Sequence, residues 1–354
     1  MTRVLQTLAA LAVLGVLAGT AVIFGGLYNV SARVGHLPGV AAILHTTFRN
    51  SVQLRAPAES AVPDLDAAGM VALGAGHFDG GCKVCHAAPG PERPAVSEYM
   101  VPAPPHITEA VGTWEAGELH WIVSEGVKMS GMPFWPATRT HDIWPVVSFM
   151  LAVQDGMDAQ TYADLTYKPI APAGAPDTLP YCAMCHGIEG RSDNPLIPRL
   201  DILPQAYLEQ TLLAYANGTR DSGIMRVAAS NVTEAELMEL AAWFGAQAAV
   251  PGAMDEIADA DLIARGAVLA RQGTRDVPAC VSCHGPQAGP RAVDYPRLAG
   301  QSGTYLNEQL YLWRAGARGG GPKANLMRKA AQDLSDDDIA ALSAWFAALP
   351  AADQ

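Results

Sequence analysis

The first strong pattern along the chain is an apolar run. From Val4 to Leu27 there is no charged residue. At ~1.5 Å rise per residue, a helix of that length crosses a ~30 Å hydrocarbon core. Beyond it the pattern changes to short stretches with apolar residues at helical spacing, joined by Gly- and Pro-rich connections. Such stretches are "LDAAGMVALGAGHF" (65–78), "HDIWPVVSFMLAV" (141–153), "YLEQTLLAYANG" (207–218) and "TEAELMELAAWFGAQ" (233–247). "DADLIARGAVLAR" (259–271), "YLNEQLYLWRAG" (305–316) and "SDDDIAALSAWFAAL" (335–349) continue the series. Leu237, Leu240, Trp243 and Phe244 recur on one helical face. Thr233 and Ser335, each followed by acidic residues, cap their helices and complement the helix dipole. Strand signals are scarce, so the chain reads as all-α. Ala41 to Leu54 is a further amphipathic stretch with Leu44, Phe48 and Val52 on one side, read as a helix at a membrane surface or on a partner, or as part of a plain stalk.

Part of this pattern is repeated. Cys182 and Cys280, Pro198 and Pro296, Tyr207 and Tyr305, and Gly218 and Gly316 are each 98 positions apart. After the glycines the spacing becomes 102, through an insertion in "GARGGGPKANLM", and then aligns Met225 with Met327 and Trp243 with Trp345. The copies differ upstream. "YKPIAPAGAPDTLPY" (167–181) carries Pro169, Pro172, Pro176 and Pro180, which exclude a regular helix where the third segment has one. The terminal helix around Trp243 and Phe244 therefore needs another cover, from a neighbouring unit or from "AQTYADLTY" (159–167).

Composition narrows the function. The 354 residues suit several domains, and a formal charge of −12 without a Lys/Arg run argues against nucleic acid. That charge favours a partner with a basic docking face. Arg3 and the amino terminus flank the apolar run, which keeps that end in the cytoplasm and exports the rest. Small residues in "AGTA" (18–21) also fit a cleaved signal peptide. Both readings place the remaining chain in an oxidising compartment.

Six cysteines there suggest disulfides, yet all six fall in three pairs followed at once by histidine: "CKVCH" (Cys82, Cys85, His86), "CAMCH" (Cys182, Cys185, His186) and "CVSCH" (Cys280, Cys283, His284). A structural zinc site needs four protein ligands and a second ligand pair close behind, which none of the three has. A redox dithiol does not require the histidine. Covalent haem attachment uses every residue of the pattern: on one helical turn, positions i, i+3 and i+4 share a face, so two thiols reach the porphyrin edge and the histidine reaches the iron.

These motifs resemble those of the c-type cytochromes, and the last two segments resemble the tandem two-domain bacterial cytochromes c that serve terminal oxidases. The resemblance implies an all-α chain of three cytochrome c-like haem domains in tandem after an N-terminal transmembrane helix. The expected divisions are 1–30 (anchor or signal), 31–60 (juxtamembrane stalk or amphipathic helix), and haem domains at 61–158, 159–250 and 255–354. It implies three covalently attached haems c held by Cys82, Cys85, Cys182, Cys185, Cys280 and Cys283, with His86, His186 and His284 on one side of the irons. On the other side stand Met132, Met225 and Met327, each in a loop where this fold places its distal ligand. Met129 offers an alternative to Met132, and Pro133 stiffens the latter's loop. Packing is the ordinary use of methionine, but repeat position and loop setting favour ligation. Proline loops at Pro104–Pro105, Pro198 and Pro296 are expected to supply carbonyls to the histidines. Arg199 and Arg297 suit haem propionates or plain solvation. His36, His45, His77, His106, His120 and His141 read as structural or solvated.

The implied function is one-electron relay by a membrane-anchored protein of the bacterial inner membrane, its haem domains periplasmic. A quinol-oxidising complex or dehydrogenase is the expected donor, and a terminal oxidase or soluble cytochrome c the acceptor. Alternatives are a haem subunit of a membrane-bound dehydrogenase and a haem enzyme such as a peroxidase. No dinucleotide fingerprint or nucleophile motif supports substrate chemistry in the chain.

Overall fold

The computed structural model describes residues 2–128, 130–250, 259–285 and 295–351, and the regular structure among them is helical. Extended pairing among the described residues is limited to one bridge, Val127 with Met132.

Helix α1 (Thr2–Phe24) has a mean hydropathy of 2.3 and buries none of its residues, so by length and composition it is able to cross a membrane. Helix α2 (Val40–Arg55) does not stand free as a stalk. Its Val52 is fully buried, the Phe48 ring meets Trp114 edge-on at 5.6 Å, and the Arg49 guanidinium lies 4.8 Å over the same indole. The Phe48–Val52 part of the amphipathic face thus packs on the chain's own next segment, while Leu44 is exposed.

That segment holds the first of three hydrophobic cores, formed by α3 (Met70–Gly81), α4 (Ala116–Glu125), α5 (Trp144–Gln154) and α6 (Ala159–Leu165). Phe78, Phe149 and Tyr162 form a three-ring cluster with centroids 5.0 to 6.3 Å apart. Each buried ring contributes on the order of 2 kcal/mol. Where α3 crosses α5, a Cβ on Gly74 would fall 1.9 Å from the Pro145 carbonyl oxygen, so the crossing admits glycine alone.

The second core lies between α7 (Leu179–His186), α8 (Gln205–Ala216) and α10 (Glu234–Gly245), with α9 (Gly223–Ser230) at its edge. As the prolines require, no helix forms over 167–178 directly before α7, which carries Pro180 in its first turn. The expectation that 159–167 covers this unit fails: α6 sends Tyr162 into the first core instead, because the Phe78–Phe149 pair offers an aromatic site with Asp79 within 2.9 Å of the phenol. Neighbouring units do supply cover. Positions for a Cβ on Gly76 and Gly80 of α3 lie 3.0 Å from Cys185 Sγ and the Tyr181 hydroxyl, and Ala351 joins the second core from the far end of the chain.

The third core repeats the first. Helix α11 (Ala260–Gln272) crosses α14 (Asp336–Ala348) at Gly266, whose Cβ would lie 2.0 Å from the Ala341 carbonyl oxygen. Helices α12 (Gly303–Arg314) and α13 (Ala324–Ala331) complete it. The second and third units are joined reciprocally, for the Arg199 N–H donates to Gln301 Oε1 at 2.8 Å and Gln301 Nε2 donates to the Arg199 carbonyl at 3.0 Å.

Candidate haem sites

The three motifs take the same local form. Cys82 ends α3 and the single turn Lys83–His86 follows; Val281–His284 is the matching turn in the third unit, and the second motif closes α7. The His86 and His284 N–H groups donate to the Cys82 and Cys280 carbonyls at 3.0 Å, which puts both cysteines and the histidine of a motif on one face. No disulfide forms among the six thiols. Burial pushes the Cys82 and Cys182 thiols up to about 12 and Cys185 and Cys280 up to about 11. A redox dithiol or thiolate metal site needs the opposite shift. Among the described residues no group of three or more His, Cys, Asp or Glu side chains converges.

Proline carbonyls meet the motif histidines. His86 Nδ1 lies 2.9 Å from the Pro105 carbonyl and His284 Nδ1 2.9 Å from that of Pro296. A carbonyl only accepts, so Nδ1 carries the proton and Nε2 is left with its lone pair free. In the second unit the Pro198 carbonyl faces His186 and raises its basicity, but Nδ1 makes no hydrogen bond of ordinary geometry. Burial nevertheless brings His186 down to about 4, and it lowers His86 and His284 as well. All three rings are thereby neutral at pH 7, the form that binds iron. Of the first proline pair, Pro104 takes a different role, accepting from Arg93 at 2.6 Å.

Two cavities bring predicted residues together, although Met225 and Met327 are carried on helices α9 and α13 and not in the loops expected, the first helix being started by the Ser222 cap. One of about 1060 Å³ is lined by Cys182, Cys185, His186 and Met225. A second of about 250 Å³ is lined by Cys280, Cys283, His284 and Met327, with Trp313 and Phe346 in its wall. They bracket the ~300–1,000 Å³ usual for ligand sites. His86 and Met132 line neither. Met132 sits in a closed turn, its carbonyl accepting from Val127 N–H at 3.1 Å and its N–H donating to Ser130 Oγ at 3.2 Å. Met129 lies outside the described residues.

The arginines differ from expectation. Arg199 is buried and spent on structure: its guanidinium holds Asp201 through two bonds of 2.9 and 2.5 Å and donates to the Val250 carbonyl. Arg297 does line the large cavity. The pair that sequence reading missed is Arg220 and Arg318, which line both cavities and make no carboxylate ion pair among the described residues. Arg220 donates to the Tyr305 hydroxyl of the third unit and Arg318 to the Tyr207 hydroxyl of the second, both at 3.1 Å. Burial pushes the Tyr207 phenol up, but the two guanidiniums pull harder and bring it down to about 8. A signal was available, since Arg220 and Arg318 keep the 98-residue spacing of the repeat. Apolar cavities with paired thiols at one edge, a neutral histidine, a thioether, and the cations of buried Arg220 and half-buried Arg318 fit haem with its two propionates.

Of the spare histidines, His106 caps a helical turn, His120 contacts the Thr140 carbonyl at 2.9 Å, and His36 and His45 are exposed. His77 and His141 are less peripheral, for both reach the large cavity from the first unit.

Comparison with known proteins agrees with this helical chain of haem-attachment motifs. The Cytochrome c family model matches residues 263–350. A thiosulfate dehydrogenase electron acceptor of Thiomonas intermedia is 35% identical over 188 residues, 51% of this chain and 84% of that protein. Cytochrome c4 of Pseudomonas aeruginosa is 33% identical over 171 residues, 48% of this chain and 83% of its own. Cytochrome c-554(548) of Halomonas halodenitrificans is 44% identical over 77 residues, 22% of this chain and 92% of that one. The chain belongs to the cytochrome c family, as a multihaem c-type cytochrome that carries electrons.

Proposed function

We propose that this chain carries three covalent haems c and relays single electrons on the periplasmic side of the bacterial inner membrane, toward a terminal oxidase. Cys82 and Cys85, Cys182 and Cys185, and Cys280 and Cys283 form the thioether links. His86 and Met132, His186 and Met225, and His284 and Met327 ligate the three irons, within domains spanning 61–158, 159–250 and 255–354. Bound haem supplies a one-electron ferrous/ferric couple. The chain's own residues hold that couple six-coordinate, exclude water with apolar walls, and balance carboxylate charge with Arg220 and Arg318. The carrying observation is the joint lining of one cavity by a C-x-x-C-H motif and the repeat-matched methionine, twice over. Helix α1 serves as tether and raises the effective concentration at a membrane partner. A quinol-oxidising complex is the donor in this reading, and a haem-copper oxidase or soluble cytochrome c the acceptor.

The test is a redox titration with near-infrared detection of the methionine-to-iron band, alongside intact mass. Three added haems are expected, and replacing Met132, Met225 or Met327 singly removes about a third of the band. A mass short of three haems, or carbon monoxide binding one site of the native reduced protein, overturns the reading.

The relative from Thiomonas intermedia favours a second reading, in which a dehydrogenase rather than a quinol-oxidising complex is the donor. Co-purification of the full chain with a dehydrogenase catalytic subunit, and reduction by it, separates the two.

A further inference from the structure

The segment that carries Met225, the Ser222 cap and the first turn of α9, is built against the first unit. Asp142, at the start of the turn leading into α5, is buried, and its Oδ2 accepts from Ser222 Oγ and from the Gly223 N–H, both at 3.1 Å. The same Ser222 oxygen accepts the Met225 N–H at 3.3 Å and caps α9. A carboxylate of the first unit thus orients a hydroxyl that holds the backbone of Met225. Arg139 donates to Asp142 Oδ2 at 3.1 Å and keeps that carboxylate in place.

Further contacts lock the same segment. Asp221 accepts from the Thr138 N–H at 3.1 Å, the Thr138 hydroxyl at 2.5 Å and the Arg139 N–H at 2.8 Å. Trp135, three residues beyond Met132, fills the space beside Gly223, where a Cβ would fall 2.1 Å from the indole. Ile224 packs against the first core and Val227 faces Gly81 of α3. The third unit offers an internal contrast. There Lys323 precedes α13, with no side-chain cap, and Ala324 stands where the repeat places Ser222.

We propose that Asp142 and Ser222 are positioning residues for Met225, so that the first unit sets how firmly the second iron keeps its thioether. The inference rests on Met225 being the distal ligand of that site. Preorganised outer contacts of this kind commonly tune ligand affinity about ten- to a hundredfold.

The experiment uses the ferric, haem-loaded full chain, titrated with imidazole while the methionine-to-iron band is followed. Met225→Ala first identifies the second site's share of the band; if the full band survives in that variant, the ligand assignment itself is wrong. With the share identified, Asp142→Ala and Ser222→Ala are expected to lose it at about tenfold lower imidazole, the factor for one lost charge-assisted hydrogen bond. The shares of the first and third sites should hold, and Ser222→Thr, which keeps the hydroxyl, should behave as the parent. Ser222→Ala leaves the Asp142–Arg139 pair intact and so reads out even if Asp142→Ala misfolds. An unchanged second-site titration in Ser222→Ala, or equal weakening of all three shares, overturns the inference.

Discussion

Gly266→Ala offers a sharp test because two effects predict opposite signs. In a helix interior, alanine is favoured over glycine by about 1 kcal/mol, so propensity alone makes the variant more stable. The structure opposes this. The added Cβ would stand 2.0 Å from the Ala341 carbonyl oxygen and 2.7 Å from Trp345 Cβ. A carbon needs ~3.3 Å from such an oxygen, so α11 and α14 must part by more than about 1 Å. The obstacle is helix backbone, not the end of a flexible side chain, and close-packed interiors yield little. Overpacking of this kind costs about 1–3 kcal/mol and sometimes more. We expect a net loss of about 2 kcal/mol, localised to the third unit. Helix α11 leads into Cys280 and α14 supplies Phe346 to the smaller cavity, so parting them also loosens that site. Guanidinium titration of the haem-loaded chain, with the Met327-dependent part of the near-infrared band as probe, should show a midpoint lower by about 0.5 M. The Met225-dependent part serves as reference. A midpoint equal to or above that of the parent would refute the reasoning.

Two further outcomes follow from buried charge. Replacing Arg220 or Arg318 by Met removes a cation shared by the two cavities and should lower the midpoint potentials of the second and third units while sparing that of the first. One unit charge at roughly 10 Å in an effective dielectric of ~20 corresponds to tens of millivolts; a potentiometric titration in which neither potential falls would remove these arginines from the haem environment. His77 is brought down to about 4 by burial, whereas the unfolded chain takes up its proton near 6.5. The unfolded state therefore binds more protons across that window, so stability is full above pH 6.5 and declines as pH falls toward 4, by on the order of 3 kcal/mol. Denaturation at pH 7 and 4.5 should show a smaller acid loss in His77→Phe, and an equal loss would assign the sensitivity elsewhere.

Much of this was legible in the sequence for local reasons. The C-x-x-C-H turns, the capped terminal helices at Thr233 and Ser335, and the proline-broken stretch before Leu179 are each fixed by residues close in the chain. The repeat spacing placed Met225 and Met327 without coordinates, because insertions leave the order of elements intact. What stayed hidden depends on contacts between distant segments. Tyr162 reads as part of a linker until Phe78 and Phe149 are seen to receive it. Arg199 looks like a cavity residue until Asp201, two positions on, captures it. Asp142 and Trp135 carry no motif at all, and their role appears only when residues 80 positions away fold against them.

The absent helix ahead of the middle motif changes what kind of object this molecule is. A wall of the cavity beside the middle motif is contributed by α3, and Ala351 closes part of the middle core, so this unit cannot be treated as a bead that swings on linkers. The position and orientation of its motif relative to the others are therefore properties of the assembled chain, fixed by contacts such as those of Gly76 with Cys185 and Gly80 with Tyr181.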